Sequence, residues 1–126
     1  MIVTAYNPED MGDIYKAIFF RSFGFYVEHR TPDAVMLVEE KDRSILYAFA
    51  SLFEKSKQEV YICYGGAIRR GPRSMVSMRL VVEELHKTYP YITLNVENSN
   101  VAMLKLALHV GFLIIGTRVA VDGTTI

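Results

Sequence analysis

Arginine is concentrated in one short turn of this 126-residue chain, directly after a predicted strand that two glycines interrupt. A predicted helix follows the turn, and the segment consists of Gly65, Gly66, Arg69, Arg70, Gly71, Pro72, Arg73 and Ser74. A helix N-terminus presents unpaired N–H groups and about half a positive charge, to which the arginines add. This pattern predicts an anion site that suits phosphate best. Composition alone leaves a solvated basic turn as an equal alternative.

The turn lacks both the Gly-Lys-Ser/Thr of a Walker motif and the GxGxxG of dinucleotide-binding proteins. Its charge is local, because no Asp or Glu occurs between Val60 and Val82, whereas the whole chain has 14 basic and 14 acidic residues. A net charge of zero is unlike that of a basic nucleic-acid coat, and no aromatic side chains alternate with the arginines to stack on bases. We therefore expect no nucleic-acid partner.

Length and composition restrict the class of protein. A chain of 126 residues suits a single domain over 1–126, and a hydrophobic content of 51% excludes intrinsic disorder. One cysteine, Cys63, excludes a disulfide framework and a cysteine-based zinc site, and we expect no metal. The sequence shows neither a targeting signal nor an apolar run long enough to span a bilayer. We expect a cytoplasmic protein with no membrane partner.

The elements that must position the basic turn follow a mixed order. The predicted strands are Ile2–Tyr6, Ala34–Glu39, Ile45–Phe53, Glu59–Ile68, Tyr91–Glu97, Phe112–Ile115 and Arg118–Val121, with Thr124–Ile126 beginning one more. The predicted helices run from Asn7 to about Phe20, from Pro72 to about Tyr89, and over Val101–Val110. Short turns between the second, third and fourth strands favour antiparallel pairing, whereas the helix after the fourth favours a parallel β-α-β crossover. The fold class is α/β (α+β), and Gly65-Gly66 marks a bulge or a close backbone approach.

Asn100 is followed by ten residues and then by Gly111-Phe112, after a strand that reads Ile92-Thr-Leu-Asn-Val-Glu. With the order of elements, this spacing resembles the GNAT acetyltransferase superfamily, by motif from Glu59 to Val121 and by topology before that. The resemblance implies a GNAT-like mixed sheet whose fourth strand carries a bulge and separates from the fifth. In that family acetyl-CoA lies between these strands, with its pyrophosphate on the turn that opens the next helix.

The resemblance also implies a reaction, namely acetyl transfer from acetyl-CoA to an amine by direct attack. The partners would be the CoA thioester and an amine of unknown identity, and a homodimer is compatible with the sequence. Tyr64 and Glu59 are the catalytic candidates, since Glu59 is the one acid on its strand and an amine must lose a proton before it attacks. The implied cofactor-binding residues are Ala67, Ile68, Arg69, Arg70, Gly71, Arg73, Ser74, Met75 and Asn100.

Several positions depart from the family pattern. Arg73 and Met75 stand where small residues are usual, Ala107 stands where many members have a proton-donating tyrosine, and Thr124–Ile126 is a short last strand. The sequence is similar to shortened GNAT-like proteins such as those encoded by tailed phages. These departures favour an alternative function: a catalytically inactive GNAT-like domain that serves as a structural or protein-interaction module.

Ordinary packing is the competing interpretation of the other reactive side chains. Tyr61 and Tyr64 are three residues apart on one strand, so regular alternation predicts that they face opposite sides. Cys63 is expected to be a small buried residue, and His29 and His86 are isolated in the sequence. His109 is expected to form a polar stripe with Lys105. Phe19, Phe20, Phe23, Phe25 and Tyr26 form an aromatic cluster that we expect to pack in the core.

Overall fold

A computed structural model describes residues 1–68 and 73–117, with the side chain of residue 73 left out. The chain divides into two compact units, Met1–Thr93 and Leu94–Ile126. The elements are β1 (Ile2–Tyr6), α1 (Ile14–Phe23), β2 (Ala34–Glu40), β3 (Ile45–Glu54), β4 (Glu59–Ala67), α2 (Arg73–His86), β5 (Tyr91–Leu94) and α3 (Val101–Val110). The first unit contains all of them except α3 and the last residue of β5.

The five strands form one sheet in the order β1-β2-β3-β4-β5. The first four strands are antiparallel to their neighbours, and β5 runs parallel to β4. Short polar turns join β2 to β3 and β3 to β4, whereas the connection from β4 to β5 passes through α2. The predicted mixed sheet with a parallel β-α-β crossover is therefore confirmed.

The hydrophobic core lies on both faces of the central strand, β3, whose residues from Tyr47 to Phe53 are all buried. One cluster packs α2 against the sheet through Val81 and Leu85, and the other packs α1 through Ile18 and Phe19. Residues of β2 and β3 alternate between the clusters because successive side chains of a strand point to opposite faces. The exception is the pair Tyr47 and Ala48, which share the cluster under α2 where the pairing of β3 with β2 shifts by one residue. The continuous apolar run of β3 follows from this position, since both of its faces are covered.

The first helix begins later than the sequence predicts. Asn7 does act as a cap, accepting a hydrogen bond from the Glu9 N–H at 3.0 Å, but the helical segment there is a 3-10 turn over Pro8–Asp10. Gly12 then adopts a φ of +56°, a left-handed conformation that ends the turn. The α-helix starts at Ile14 and ends at Gly24, whose φ of +80° terminates it.

Two predicted strands also differ from the structure. β5 ends at Leu94 instead of Glu97, and the chain from Phe112 to Ile115 forms no regular strand. An alternating or apolar sequence specifies which side chains share a face, but a strand also requires a hydrogen-bonded neighbour. The Tyr91 N–H supplies such a bond by donating to the Gln58 carbonyl at 3.0 Å. The predicted strands at Arg118–Val121 and Thr124–Ile126 lie outside the described residues, as does Pro72.

At Gly66 the backbone of β4 lies close to the Ser22 side chain of α1, and a close approach of the strand backbone is one of the two features that the sequence predicts for Gly65-Gly66. A Cβ at Gly66 would lie 2.0 Å from the Ser22 Oγ of α1 and 3.3 Å from its Cβ. Ser22 is buried, and its hydroxyl donates a hydrogen bond to the Ala67 carbonyl at 3.1 Å. The contact lets α1 lie directly on β4, and a larger residue would break it.

We predict that Gly66→Ala lowers the free energy of unfolding by roughly 1–3 kcal/mol, because the added methyl group displaces the Ser22 hydroxyl from a packed site. Gly65→Ala is the matched control, since a Cβ there meets its nearest atom, the Phe49 carbonyl oxygen, at 3.4 Å. Urea denaturation of both variants and of Gly66→Ala/Ser22→Ala measures the effect, and the double variant should recover part of the loss. Equal stability of the two glycine variants would contradict the assignment.

Candidate functional site

A β-bulge in β4 determines which side chains gather under α1. Ser51 of β3 is paired with Tyr64, and the next residue, Leu52, is paired with Ile62, so that Cys63 is an extra residue in β4. Before the bulge, Val60 and Ile62 pack in the cluster under α2. After it, Tyr64 packs in the cluster under α1. Because of the bulge, Tyr64 therefore lies on the face of the sheet opposite to Val60 and Ile62.

Tyr64 lies among aromatic rings on this face. Its ring centroid is 5.0 Å from that of Phe19, 6.4 Å from that of Phe23 and 4.7 Å from that of His29. Tyr61 precedes the bulge and alternates with Val60 and Ile62, so it points to the same face as Tyr64. The prediction that Tyr61 and Tyr64 face opposite sides is wrong, because regular alternation does not hold across a bulge.

A chain of hydrogen bonds runs beside the bulge. The Tyr15 hydroxyl of α1 lies 2.8 Å from His29 Nε2 and 2.6 Å from Ser51 Oγ, and His29 Nδ1 lies 2.6 Å from the Val27 carbonyl oxygen. Tyr15 and Ser51 are buried, whereas His29 is half-buried. His29 is isolated in the sequence, but the segment between α1 and β2 brings it onto the sheet beside Tyr15. No spacing in the sequence indicates this contact, because residues 24–33 have no helical or strand periodicity.

Burial changes the acidity of the groups around the bulge. Removal from water raises the pKa of Tyr15 to about 12, although the hydrogen bond from Ser51 acts in the opposite direction. Burial also raises the pKa of Tyr64 and that of the Cys63 thiol, and for Cys63 the positive charges of Lys55 and Arg30 oppose the shift. These side chains are therefore held in their neutral forms near neutral pH.

Glu59, the other catalytic candidate, lies at the start of β4. Its carboxylate accepts a hydrogen bond from the Thr93 hydroxyl of β5 at 3.3 Å. Tyr64 lies five positions further along the chain, which corresponds to roughly 16 Å of strand. The structure thus does not bring the two predicted catalytic residues together, and Glu59 links the first residue of β4 to the third residue of β5.

The implied cofactor-binding residues occupy several environments. The Ala67 carbonyl accepts from Ser22, and the Ile68 N–H donates to the Tyr47 carbonyl at 2.7 Å. Ser74 and Met75 are half-buried in the first turn of α2, which begins at Arg73. Arg69, Arg70 and Gly71 lie outside the described residues. In the second unit, Asn100 caps α3 by accepting from the Met103 N–H at 3.2 Å, and Gly111 ends that helix with a φ of +117°.

No family model matches the chain, and no curated protein matches it in sequence. Solved structures do match. Arabidopsis thaliana Naa50, in complex with the bisubstrate analogue CoA-Ac-MVNAL, is 17% identical with a TM-score of 0.69, covering 99% of this chain and 95% of that chain. The ribosomal-protein-S18-alanine N-acetyltransferase of Escherichia coli is 18% identical with a TM-score of 0.69, covering 98% and 86%. The aminoglycoside N-acetyltransferase AAC(6')-Iy in complex with CoA is 11% identical with a TM-score of 0.62, covering 94% and 90%.

The chain has the GNAT fold. Its mixed sheet agrees with the expectation drawn from Asn100 and Gly111-Phe112, and a bulge in the fourth strand is also what the resemblance implies. Ala107 is buried in α3, and its methyl side chain has no ionisable proton to donate. Within residues 1–68 and 73–117, His, Cys, Asp and Glu side chains form no group of three or more suited to a metal ion. No helix in these ranges is both long and apolar enough to cross a bilayer.

The raised pKa of Tyr15 predicts a loss of stability at alkaline pH. Above about pH 10 the unfolded chain releases the Tyr15 proton, whereas the folded protein retains it up to about pH 12. The contribution of Tyr15 to the free energy of unfolding is therefore fully present below pH 10. Between pH 10 and pH 12 that free energy falls by at most about 1.4 kcal/mol per pH unit. Urea denaturation from pH 9 to 11.5 should show a shallower decline for Tyr15→Phe than for the parent. Tyr91→Phe, at an exposed ring, is the control, and parallel declines of parent and Tyr15→Phe would refute the prediction.

Proposed function

We propose that this protein transfers an acyl group, acetyl in the simplest case, from a CoA thioester to an amine. The observation that carries the proposal is the bulge at Cys63 in β4, which occurs in a chain that aligns with CoA-bound acetyltransferases over at least 94% of its length. One of those structures contains CoA and the other a CoA-linked analogue. The analogue carries a peptide, whereas the other protein is an aminoglycoside acetyltransferase, so the two support the CoA donor more strongly than any particular amine acceptor.

The residues around α2 fit the phosphates of CoA. α2 has 14 residues, and its first-turn N–H groups, near Ser74 and Met75, supply the partial positive charge that favours an anion. Arg69, Arg70 and Arg73 would add three cationic side chains beside this N-terminus. Because Met75 stands where the family has a small residue, side-chain charge would hold the phosphates more than a close backbone cradle would.

The CoA thioester, when bound, supplies an acyl group activated toward attack by nitrogen. The tasks of the protein are then to bind the cofactor, to orient the amine and to accept its proton. β5 has four residues and β4 has nine, so β5 is long enough to accompany only part of β4. Backbone groups of β4 beyond that part are suited to orient the thioester, next to Tyr64 and the bulge.

CoA binding is the direct test of this proposal. At about 100 times its Kd, CoA should stabilise the protein by roughly 2.7 kcal/mol, measured by thermal shift or by denaturation. The variant Arg69→Ala/Arg70→Ala/Arg73→Ala should lose most of this effect, and binding to the parent should weaken as salt rises.

A charge-matched variant separates a specific anion site from general electrostatics. Lys41→Ala/Arg43→Ala/Lys57→Ala removes three positive charges from exposed turns, so it should bind CoA as the parent does. Absence of CoA binding by the parent would overturn the proposal. Parent-like binding by the arginine variant would show that the phosphates bind elsewhere.

A second candidate function, a catalytically silent GNAT-like domain that serves as a structural or interaction module, is favoured by Ala107. This residue offers no proton to a departing thiolate, and general acid assistance contributes about 10²–10⁴-fold to rates. We therefore predict slow turnover with CoA still bound. Steady-state assays with acetyl-CoA and a broad panel of amines should give kcat below about 1 s⁻¹, the low end of ordinary enzymes. A higher value would contradict this prediction and exclude the silent domain.

A further inference from the structure

Among the described residues, the hydrogen-bonded chain of His29, Tyr15 and Ser51 joins a titratable side chain to the β4 bulge. Ser51 is the residue of β3 that pairs with Tyr64, immediately beside the extra residue Cys63. Tyr15 contacts Ser51 directly, and the His29 ring packs on Tyr64. The position at which the proposed function requires proton removal is thus connected to a histidine.

The hydrogen bonds determine where the protons lie. A carbonyl oxygen only accepts, so His29 Nδ1 carries a hydrogen and donates it to Val27. In the neutral ring Nε2 is then the acceptor, and the Tyr15 hydroxyl donates to it. The single Tyr15 proton is used in that bond, so Ser51 donates to the Tyr15 oxygen. Tyr15 is therefore held with its proton directed at His29.

The same geometry accommodates a protonated histidine. When Nε2 gains a proton it donates to the Tyr15 oxygen, and the Tyr15 hydroxyl turns to donate to Ser51. The Nδ1 bond to Val27 is unchanged, and the donor reverses in the other two contacts, so no heavy atom has to move. An arrangement that satisfies both charge states is what a proton relay requires, whereas a structural hydrogen bond requires only one.

We propose that His29, acting through Tyr15, is the proton acceptor for the amine that attacks the thioester. The inference rests on the proposed function. The amine, directly or through one water, gives a proton to the Tyr15 oxygen as the Tyr15 proton passes to His29 Nε2. The neutral amine attacks the thioester carbonyl, the C–N bond forms and the C–S bond breaks. The second proton of the nitrogen goes to the departing thiolate, and His29 later releases its own to solvent.

None of the charged and titratable groups named here around His29 is suited to accept the amine proton near neutral pH. Burial raises the pKa values of Tyr15, Tyr64 and Cys63, so these groups keep their protons there. β3 contributes Ser51, which does not titrate in this range. Glu28 is exposed and forms an ion pair with Lys16 at 3.8 Å. The neighbours on the segment of His29 itself are Tyr26, Val27, Glu28 and Arg30.

The test compares His29→Gln and Tyr15→Phe with the parent over pH 5–9, using acetyl-CoA, an amine panel and mass spectrometry to detect slow acetylation. Histidine is the side chain that ordinarily titrates in this range, so the parent kcat should fall toward acidic pH. Both variants should lose about 10²-fold or more in kcat and should lose this pH dependence, with little change in KM for acetyl-CoA. His86→Gln is the matched control, because His86 makes a similar local bond from Nδ1 to the Tyr89 carbonyl, at 3.0 Å. It should behave as the parent does.

The outcomes separate the relay from the function on which it rests. If the parent turns over and His29→Gln has the same kcat and pH profile as the parent, the relay is wrong but the proposed acyltransferase function stands. A parent that binds CoA without turnover would overturn the relay and establish the silent domain. A parent that does neither would overturn the proposed function and, with it, the relay.

A measurement on the parent protein alone guards against variants that fail to fold. Long-range ¹H–¹⁵N correlation spectra of the ¹⁵N-labelled protein report the tautomer of each histidine. The relay requires neutral His29 with its hydrogen on Nδ1. A hydrogen on Nε2 would overturn the relay whatever the variants do.

Discussion

One extra residue in β4 controls the arrangement of the candidate site. If Cys63 were an ordinary paired residue of the strand, Tyr64 would continue the alternation of Val60 and Ile62 and would enter the apolar cluster under α2. With it, Tyr64 lies against Phe19 and His29 on the other face. A bulge disrupts the hydrogen bonding of the strand locally, so it persists only because the surrounding sheet and α1 favour the resulting contacts.

The contacts that favour the bulge are polar as well as apolar. Phe19 is fully buried against several rings, while the hydroxyls of Tyr15 and Ser51 bond to each other in the same cluster. An unpaired buried hydroxyl costs about 1–3 kcal/mol, so each of the two groups stabilises the other. The resulting cluster joins β3 and α1 to the irregular segment that carries His29. A chemical step at this cluster would therefore use a fixed tyrosine and a histidine held in one orientation.

The sequence was most informative where local chemistry determines structure. Asn100 and Gly111 correctly predicted the two ends of α3, and the unbroken apolar run predicted that β3 is buried on both faces. The ten-residue spacing from Asn100 to Gly111-Phe112 indicated the fold. Prediction failed where a residue depends on distant partners. The bulge at Cys63 is set by register against β3, and it reversed the predicted orientation of Tyr64. His29 lies in an irregular segment whose path depends on the aromatic rings below it. Glu59 has a suitable chemical type for a base, but the length of the strand separates it from Tyr64.

The bulge turns Tyr64 toward α1 and against His29. Nuclear Overhauser effects from the Tyr64 ring protons, measured on protein with selectively labelled aromatic residues, test this orientation directly in solution. We expect strong effects to the rings of Phe19 and His29. Effects to the methyl groups of Val81 and Leu85 in their place would mean that β4 has no bulge at Cys63, and they would contradict the site built upon it.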